Sequence, residues 1–493
     1  MPLLLYLLLL NLLTSRLTSA SWPSGPMSQK VMARCWAKQV EPLGPQYLQV
    51  SYQEQRSELE HNAEPWQQTP YQARGTLWIN ATHFRQVDTL YSPTRKKIYY
   101  AKTQADPQTL LLLEPGEDKL ATVSPQRLAA QRLTAARYSP IWLLDYAHRY
   151  PPALDPERSS TQRACYQLQL NQTRVRLFIR HSDGLLDQVT LLEADPMLGD
   201  LLTTITYQEY RQLGHSWQPT RITMDKVNGR LHDQVLLAQA KLTPQAPVLL
   251  QRPADYALTP VEKVTPTLQS EKYSDHIYFI TLPHTDDRVM LVEFTDFLLV
   301  AEAPLSSQNG ELIIQQVRQL VPTKPIRYFV AGHHHPHYLG GVRPFVHRGA
   351  TILSSPGNEA YIHDVTAATH QLSPDSLALA PKPLKLESVG AHKTITDGQF
   401  RMEIYHMGPQ SAHTNDYLIY YFPDQQLLFE DDLVWLPKTG KPARVSERQV
   451  GLYRFIKQLG IPVRMIVQSW PVRDMGVKTE IPFADLAASV EPK

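Results

Sequence analysis

The amino-acid sequence predicts an α+β N-terminal domain with an antiparallel curved sheet, followed by a second domain in which strands and helices are mixed. The 493 residues exceed the length of one ordinary domain. Evenly spaced segments of alternating apolar and polar residues fill the first half, and such segments are typical of antiparallel strands. A stretch rich in Pro and Thr separates them from the second half, where a histidine-rich loop follows an apolar strand.

The composition excludes several classes of protein. Hydrophobic residues make up 42% of the chain, which supports packed cores, and charged residues make up 19%, too few for a disordered or nucleic-acid-coating chain. The net charge of +2 indicates neither a nucleic-acid partner nor an acidic membrane surface. We therefore expect a globular protein with no nucleic-acid partner.

The first twenty residues predict a secretory signal peptide. The apolar run from Met1 to Leu13 is too short to span a bilayer, and small residues suited to cleavage end at Ala20. The protein is therefore expected to be exported, periplasmic or secreted, with no integral membrane span after cleavage. The alternative is an uncleaved anchor, because the terminal amine is the only charge before the apolar run. Cys35 and Cys165 either pair in such a compartment or are two buried free thiols.

Residues 21–250 form the predicted N-terminal domain. From residue 21 to residue 74 the chain is polar and weakly periodic, so we expect the edge of a domain rather than a core. Two helices each open with a Ser-Pro pair, at Ser124 as N-cap and at Ser139. The expected strands are at 76–80, 97–101, 164–170, 174–181, 186–192, 203–210 and 230–242. Such a sheet serves more often as a scaffold than as a cup for a lipid or peptide.

Residues 251–269 predict a linker, because they are rich in Pro and Thr, and residues 270–493 form the predicted second domain. This domain opens with two strands, a helix and a buried strand, expected at 272–282, 289–300, 310–320 and 326–331. The last strand leads directly into the histidine-rich loop.

The histidine loop is Gly332-His-His-His-Pro-His-Tyr-Leu-Gly-Gly341. The carboxyl end of a strand is where α/β proteins place their chemistry. Alternate histidines, His333 and His335, can converge on one ion from such a loop, and neutral imidazole is the usual nitrogen ligand of zinc. Iron and manganese also accept imidazole, so these residues leave the identity of the metal open.

This loop resembles the motif His-x-His-x-Asp-His-x-Gly-Gly of the metallo-β-lactamase fold hydrolases. His333 and His335 match the first two ligands. His337 stands where the family has Asp, and Tyr338 stands where it has its last His. The order strand, strand, helix, strand, metal loop is also similar to the start of that fold. Segments that look like one branch, exported hydrolases with a long N-terminal region, include Ala303-Pro-Leu305, Arg348-Gly-Ala-Thr-Ile352 and Asp195-Pro-Met-Leu-Gly-Asp200.

The resemblance implies an αββα fold for residues 270–493 and a zinc site in its loops. His413 matches the family's third ligand, in a loop before a late strand. With His333 and His335 it would hold one zinc ion and leave one tetrahedral position open for water.

The resemblance also implies a carboxylate at the site. Asp432 matches the family's bridging residue, and we prefer it to Glu430 and Asp431 as a metal-shell residue or general base. The second metal site is altered, since Trp470 stands where the final His ligand is expected. His284 either resembles a histidine at the rim of the family's active site or is an exposed loop residue.

The sequence therefore predicts an exported metal-dependent hydrolase with one zinc ion and a water nucleophile. Asp432, with His337, is expected to handle the proton. The alternative is a non-catalytic protein of the same fold that acts as a binding module, because Tyr338 and Trp470 put rings where ligands are expected. A third possibility, metal buffering by the histidine loop, requires neither His413 nor Asp432 and ranks last.

Overall fold

The fold is described from a computed structural model over residues 26–113, 120–122, 125–244, 247, 265–440 and 444–491. The predicted signal peptide lies outside the described residues, as do the predicted N-cap Ser124 and most of the predicted linker. Within the described ranges, no helix has both the length and the apolar character that crossing a membrane requires.

The first part of the chain forms a thirteen-stranded sheet in which every pair of neighbouring strands is antiparallel. The thirteen strands of the sheet are β1 (Tyr47–Leu59), β2 (Gln68–Ile79), β3 (Phe84–Ser92), β4 (Lys97–Ala105), β5 (Leu110–Leu113), β6 (Leu120–Thr122), β7 (Ala153–Leu154), β8 (Arg163–Leu170), β9 (Thr173–Arg180), β10 (Leu186–Asp195), β11 (Gly199–Gln208), β14 (Arg221–Lys226) and β15 (Leu231–Thr243). Two further strands, β12 (Arg211–Leu213) and β13 (Ser216–Gln218), form a separate two-stranded ribbon. Across the sheet the order is β6-β5-β4-β3-β2-β1-β15-β14-β11-β10-β9-β8-β7. The predicted antiparallel sheet is confirmed.

Three helices pack against this sheet in one hydrophobic core. They are α1 (Pro26–Gln39), α2 (Pro125–Ala135) and α3 (Ile141–Arg149). Cys35 and Cys165 are both buried and unpaired, so the free thiols are the alternative that the structure contains.

The expectation that residues 21–74 form the edge of a domain is wrong. Strand β1 pairs with both β2 and β15 in the middle of the sheet, and Leu48, Val50 and Tyr52 are buried. Along β1 these apolar residues alternate with Gln and Ser. Only one face of the strand is therefore hydrophobic, and the average composition of the segment remains polar.

The second part of the chain contains two mixed sheets. The seven-stranded sheet consists of β16 (Gln269–Lys272), β17 (Ile277–Leu282), β18 (Asp287–Glu293), β19 (Leu298–Ala301), β20 (Ile326–Val330), β21 (Thr351–Ser354) and β22 (Lys385–Ser388), in that order. The six-stranded sheet consists of β23 (His392–Thr396), β24 (Arg401–His406), β25 (Leu418–Phe422), β26 (Leu427–Glu430), β27 (Met465–Gln468) and β28 (Glu480–Pro482), also in order. Strands β19 to β22 are parallel to one another, as are β26 and β27.

Seven helices accompany these sheets. They are α4 (Ser307–Leu320), α5 (Pro336–Leu339), α6 (Arg343–Arg348), α7 (Glu359–Ala367), α8 (Ser376–Leu379), α9 (Glu447–Leu459) and α10 (Phe483–Val490). The two sheets share a core in which the rings of Phe279 and Phe429 lie 5.8 Å apart. Helix α4 packs on the other side of the seven-stranded sheet through Ile313, and α9 packs on the other side of the six-stranded sheet through Leu452.

Several boundaries differ from the sequence prediction. The strand expected at 272–282 begins only at Ile277 as β17, and residues 269–272 form the separate strand β16. The single strand expected at 289–300 is divided into β18 and β19, with a turn in which the Phe294 N–H donates to the Phe297 carbonyl at 3.0 Å. Helix α4 begins at Ser307, before the predicted start, because the Ser306 hydroxyl accepts a hydrogen bond from the Asn309 N–H and caps the helix.

Candidate metal centre

The histidine loop leaves the carboxyl end of β20, at a point where the backbone has no room for a side chain. A Cβ at Gly332 would lie 2.1 Å from Oδ2 of Asp431. The Gly332 N–H donates instead to both carboxylate oxygens of Glu302, at 3.1 and 3.2 Å. This close approach fixes where the following histidines stand.

Three histidines converge beyond this point. One ligand atom from each of His333, His335 and His413 lies within 4.8 Å of the other two. Nε2 of His333 faces Nδ1 of His335 at 2.9 Å. The opposite nitrogens of these two rings are occupied, since Nδ1 of His333 lies 2.7 Å from Oδ2 of Asp431 and Nε2 of His335 lies 3.1 Å from the Asn62 carbonyl oxygen.

These contacts determine which nitrogen of each ring carries the proton. A neutral imidazole that donates its N–H to a carboxylate or a carbonyl keeps its lone pair on the other nitrogen. The Asn62 carbonyl can only accept, so His335 carries its proton on Nε2 and its Nδ1 lone pair points toward Nε2 of His333. When Asp431 is ionised, Nδ1 of His333 donates to it and the Nε2 lone pair of His333 faces the same point. When Asp431 is protonated, Nε2 of His333 can instead donate to Nδ1 of His335 at 2.9 Å.

The third histidine lies beside the carboxylate of Asp432. Nε2 of His413 is 3.3 Å from Oδ2 of Asp432 but outside hydrogen-bond geometry, and among the described residues this buried nitrogen has no hydrogen-bond partner. Burial alone would raise the pKa of Asp432, but the neighbouring His413 and Arg448 lower it below its ordinary value. Arg448 donates to the same oxygen at 3.2 Å. Asp432 is therefore an ionised carboxylate at the edge of the centre.

Three further carboxyl groups are completely buried around the histidines: Glu302, Glu430 and Asp431. Burial raises the pKa of Glu302 and of Glu430 to about 8. Burial, with the charge of Glu302, raises the pKa of Asp431 well above its ordinary value. The hydroxyls of Tyr417 and Tyr420 donate to Glu430 and Glu302, at 3.0 and 2.9 Å. A cation at the three histidines would favour the ionised forms of these acids.

His337 forms a pair with a carboxylate that the sequence did not indicate. Its Nδ1 lies 2.9 and 3.1 Å from the two carboxylate oxygens of Asp287, the first residue of β18. Burial alone would lower the pKa of His337, but the hydrogen bond and charge of Asp287 raise it above its ordinary value. The other nitrogen of His337 remains for the cavity that this residue lines.

The rings of Tyr338 and Trp470 lie near the histidine rings of the loop, beside His333 and His337. The ring of Tyr338 is buried 4.4 Å from that of His333, and burial raises the pKa of its hydroxyl well above the ordinary value. Trp470 lies 6.2 Å from the ring of His337. In the part of the chain that the structure describes, the three-histidine set is the one group of three or more such side chains close enough together to hold an ion.

A cavity of about 210 Å³ opens onto the centre. It is lined by His61, His335, His337, Tyr338, His413, Asp432, Arg448 and Trp470. Of the three acids in sequence, Asp432 is the one that reaches it, whereas Glu430 and Asp431 do not. His284 does not line it either, because its Nε2 lies 2.9 Å from Oδ1 of Asn309 at the start of α4.

The first sheet supplies residues to this centre that the sequence analysis missed. Residues 60–67 connect β1 to β2 and are called the capping loop below. The ring of His61 lies 4.8 Å from that of His335, edge to face, and the carbonyl of Asn62 holds the same histidine. No local pattern identifies these residues, because the loop is polar and about 270 positions from the histidine loop. Arg448, in the first turn of α9, was also missed, because an arginine on a helix is common and nothing in its local sequence marks it.

No protein-family model and no curated protein matches the chain. Solved structures similar to it include several metallo-β-lactamases. The enzyme from Pontibacter korlensis is 15% identical, and the match covers 45% of this chain and 97% of that one, with a TM-score of 0.32. DIM-1 is 14% identical over 46% of this chain and 96% of its own, with a TM-score of 0.34. FIM-1 from Pseudomonas aeruginosa, in its mono-zinc form, is 14% identical over 45% of this chain and 93% of its own, with a TM-score of 0.34.

Proposed function

We propose that residues 270–493 form an αββα domain of the metallo-β-lactamase fold and that the protein is a metal-dependent hydrolase with one zinc ion. One observation carries the proposal. One ligand nitrogen from each of His333, His335 and His413 lies within 4.8 Å of the other two, and the Asn62 carbonyl turns the Nδ1 lone pair of His335 toward Nε2 of His333. A cation at this point would be held by three nitrogens and would favour the ionised form of Asp431, which accepts the N–H of His333.

The chemistry of the donors fits zinc. Burial, with the neighbouring histidines, lowers the pKa of His333 well below its ordinary value and that of His335 to about 2. Both rings are therefore neutral near pH 7, which is the form in which imidazole binds a metal. His413 would supply the third nitrogen. When bound, zinc supplies a Lewis acid for a carbonyl, sulfate or phosphate oxygen and activates water near neutral pH.

We expect one ion rather than two. The hydroxyl of Tyr338 is neutral because burial raises its pKa, and a neutral phenol is a poor zinc ligand. The indole of Trp470 offers a donor N–H and no lone pair. Only Asp432 and His337 remain as possible ligands of a second ion, and His337 is already held by Asp287.

The remaining side chains supply the proton transfers. Asp432 is ionised and lines the cavity, so it accepts the proton of the attacking water. His337 retains a proton to higher pH than an ordinary histidine because Asp287 stabilises its charged form, and it delivers that proton to the leaving group. Tyr338 and Trp470 form the hydrophobic wall that limits access of bulk water.

We also propose that the protein acts outside the cytoplasm, on a small molecule. The sequence of residues 1–20 supports export, to the periplasm or the medium. N-terminal sequencing of protein recovered from an expressing cell tests this part directly. Cleavage after Ala20 is expected, and an intact Met1 on the exported protein would contradict it.

Metal content per chain tests the hydrolase proposal first. Protein purified without an affinity tag is analysed by mass spectrometry, beside His413→Ala and beside His284→Ala, a histidine outside the cavity. We expect about one zinc per chain in the wild type and in His284→Ala, and its loss from His413→Ala. Two ions per wild-type chain would refute the mononuclear site.

Turnover then separates the enzyme from the binding module. A panel of esterase, phosphatase, sulfatase and lactamase substrates is screened with wild-type protein and with His335→Ala. Zinc-dependent turnover that disappears in His335→Ala is the expected result. A chain that takes up no metal even after reconstitution would refute the hydrolase and support a non-catalytic protein on this fold.

A further inference from the structure

We infer that the capping loop of the first sheet completes the metal centre, and that His61 binds a compact anionic group of the substrate inside the cavity. The inference rests on the proposed function, since it assigns the N-terminal sheet a role at the same centre. It also replaces the expectation that this sheet is only a scaffold.

The backbone of the capping loop orients one of the three histidines. The Asn62 carbonyl accepts the hydrogen bond from Nε2 of His335 and thereby turns Nδ1 of that ring toward His333. Metal-binding histidines generally need such a partner on the second nitrogen, which sets the tautomer and the orientation of the ring. Here the partner of His335 comes from the first sheet. The neighbouring Ala63 carbonyl accepts the Asn415 N–H at 2.9 Å, beside the loop that carries the third histidine.

Trp66 anchors the capping loop to α7. Trp66 has φ +61°, a left-handed conformation that a bulky residue rarely adopts. Its Nε1 donates to Oδ2 of Asp364 at 2.9 Å, and its ring lies 4.9 Å from that of Tyr361. The guanidinium of Arg230 lies 4.1 Å over the indole and also pairs with Asp364. Contacts from α7 thus hold a strained conformation that keeps the loop over the centre.

His61 is the residue of the capping loop that lines the cavity. Among the described residues, neither ring nitrogen of His61 has a hydrogen-bond partner, although the ring lines the cavity and contacts that of His335. An imidazole carries at least one N–H in either protonation state, so His61 has a donor for a ligand in the cavity. The guanidinium of Arg448 lines the same cavity but is already paired with the Asp432 carboxylate at 3.2 Å. A metal cation and the N–H of His61 are therefore the groups that favour an anion over a neutral group.

The size of the cavity sets the class of ligand. Its volume of about 210 Å³ is below the range of roughly 300–1,000 Å³ that holds drug-sized ligands. The occupant is therefore a small molecule or the compact end of a longer one. A group the size of a phosphate or carboxylate satisfies both the volume and the charge.

Cobalt-loaded full-length protein tests the inference, with inorganic phosphate as the probe and visible absorption of the metal as the readout. We expect His61→Ala to keep one cobalt per chain and to bind phosphate about tenfold more weakly, because one hydrogen bond to an anion is lost. His61→Gln retains an N–H donor and is expected to recover most of the affinity. His363→Ala, an exposed histidine on α7, is the matched control and should not differ from the wild type.

A second variant tests the loop itself. Trp66→Ala removes the anchor and is expected to weaken cobalt binding about tenfold, since the partner of His335 moves away. Trp217→Ala, in the ribbon formed by β12 and β13, is its control. Equal phosphate affinity in His61→Ala and wild type would overturn the role of His61, and so would loss of cobalt from that variant, which would make His61 a ligand. If wild-type protein takes up no cobalt, the proposed function itself fails.

Discussion

Gly332→Ala probes the point at which the backbone and the metal centre meet. An added Cβ would lie 2.1 Å from Oδ2, 2.6 Å from Cγ and 2.7 Å from Oδ1 of Asp431. The carboxylate cannot retreat with its backbone, because the Asp431 N–H donates to the Tyr417 hydroxyl and its carbonyl accepts the Trp470 N–H, both at 3.0 Å. It has to rotate, and rotation breaks its 2.7 Å contact with Nδ1 of His333.

The magnitude follows from that contact. Loss of the group that orients a metal-binding histidine typically weakens metal affinity 10- to 100-fold, or about 1.4–2.7 kcal/mol. Overpacking of the buried site is expected to cost the metal-free fold about 1–3 kcal/mol as well. The φ of Gly332 is not among the positive values, so the backbone conformation itself accepts alanine and the effect comes from the Cβ alone.

Competition with a fluorescent zinc chelator measures the affinity, and thermal unfolding of the metal-free protein measures the stability. Gly357→Ala is the matched control, because a Cβ at Gly357 meets nothing within 4 Å. An affinity of Gly332→Ala within about twofold of the wild type would refute the role given to Asp431.

Three further predictions concern the rest of the molecule. Burial alone would raise the pKa of the Asp375 carboxyl, but its hydrogen bonds to the buried Arg343 hold that pKa well below its ordinary value. The ionised carboxyl therefore stabilises the fold above the unfolded-state pKa of about 3.9, and this stabilisation is lost as the pH falls toward the lower folded-state pKa. Asp375→Asn should therefore lower the free energy of unfolding by about 3 kcal/mol at pH 7 and by less below about pH 4, as denaturant titrations would show; equal deficits at both pH values would contradict this. Burial raises the pKa of Asp88 to about 6, so its carboxyl destabilises the fold as the pH rises from about 4 through 6. Asp88→Asn is expected to stabilise by about 3 kcal/mol at pH 8 and not at pH 4, and unchanged unfolding at pH 8 would be the contrary result. Burial raises the pKa of Cys165 to about 11 and that of Cys35 well above its ordinary value, so neither thiol should react with Ellman's reagent until denaturant unfolds the chain; rapid reaction of the native protein would disprove this.

The parts of the fold that the sequence predicts are those with strong local patterns. The five strands predicted between residues 164 and 242 alternate with a period of two and appear close to the expected places, whereas β12, β13 and β14 in the same range were not predicted. The three histidines each follow or precede a predicted strand, and the structure brings them together, because the start of β25 meets the end of β20 across the two packed sheets, where the Leu418 N–H donates to the Gly332 carbonyl at 2.6 Å. Only the resemblance to the family distinguished Asp432 from Glu430 and Asp431, because the sequence pattern at the end of a strand does not show which of three consecutive acids faces a cavity.

The parts that the sequence does not predict depend on contacts between distant segments. Asn62 acts through a backbone carbonyl, which every residue carries, so no residue type marks it. The role of Asp287 as partner of His337 depends on a contact between the start of β18 and α5, 50 positions apart. Strand β1 was not recognised as a central strand, because the residues on its polar face make its average composition polar, and average composition does not show which residues are buried.

The hydrogen bond between His335 and Asn62 joins residues that are 273 positions apart. Closing so large a loop costs entropy before any contact repays it, so this junction forms late in folding. An ion that binds only the assembled centre stabilises the native state by linkage, about 2.7 kcal/mol when its concentration is 100 times the dissociation constant. Metal uptake by this chain would then indicate that the capping loop and the histidine loop have come together. A chelator that removes the metal would weaken the contact between these two loops without binding to either sheet.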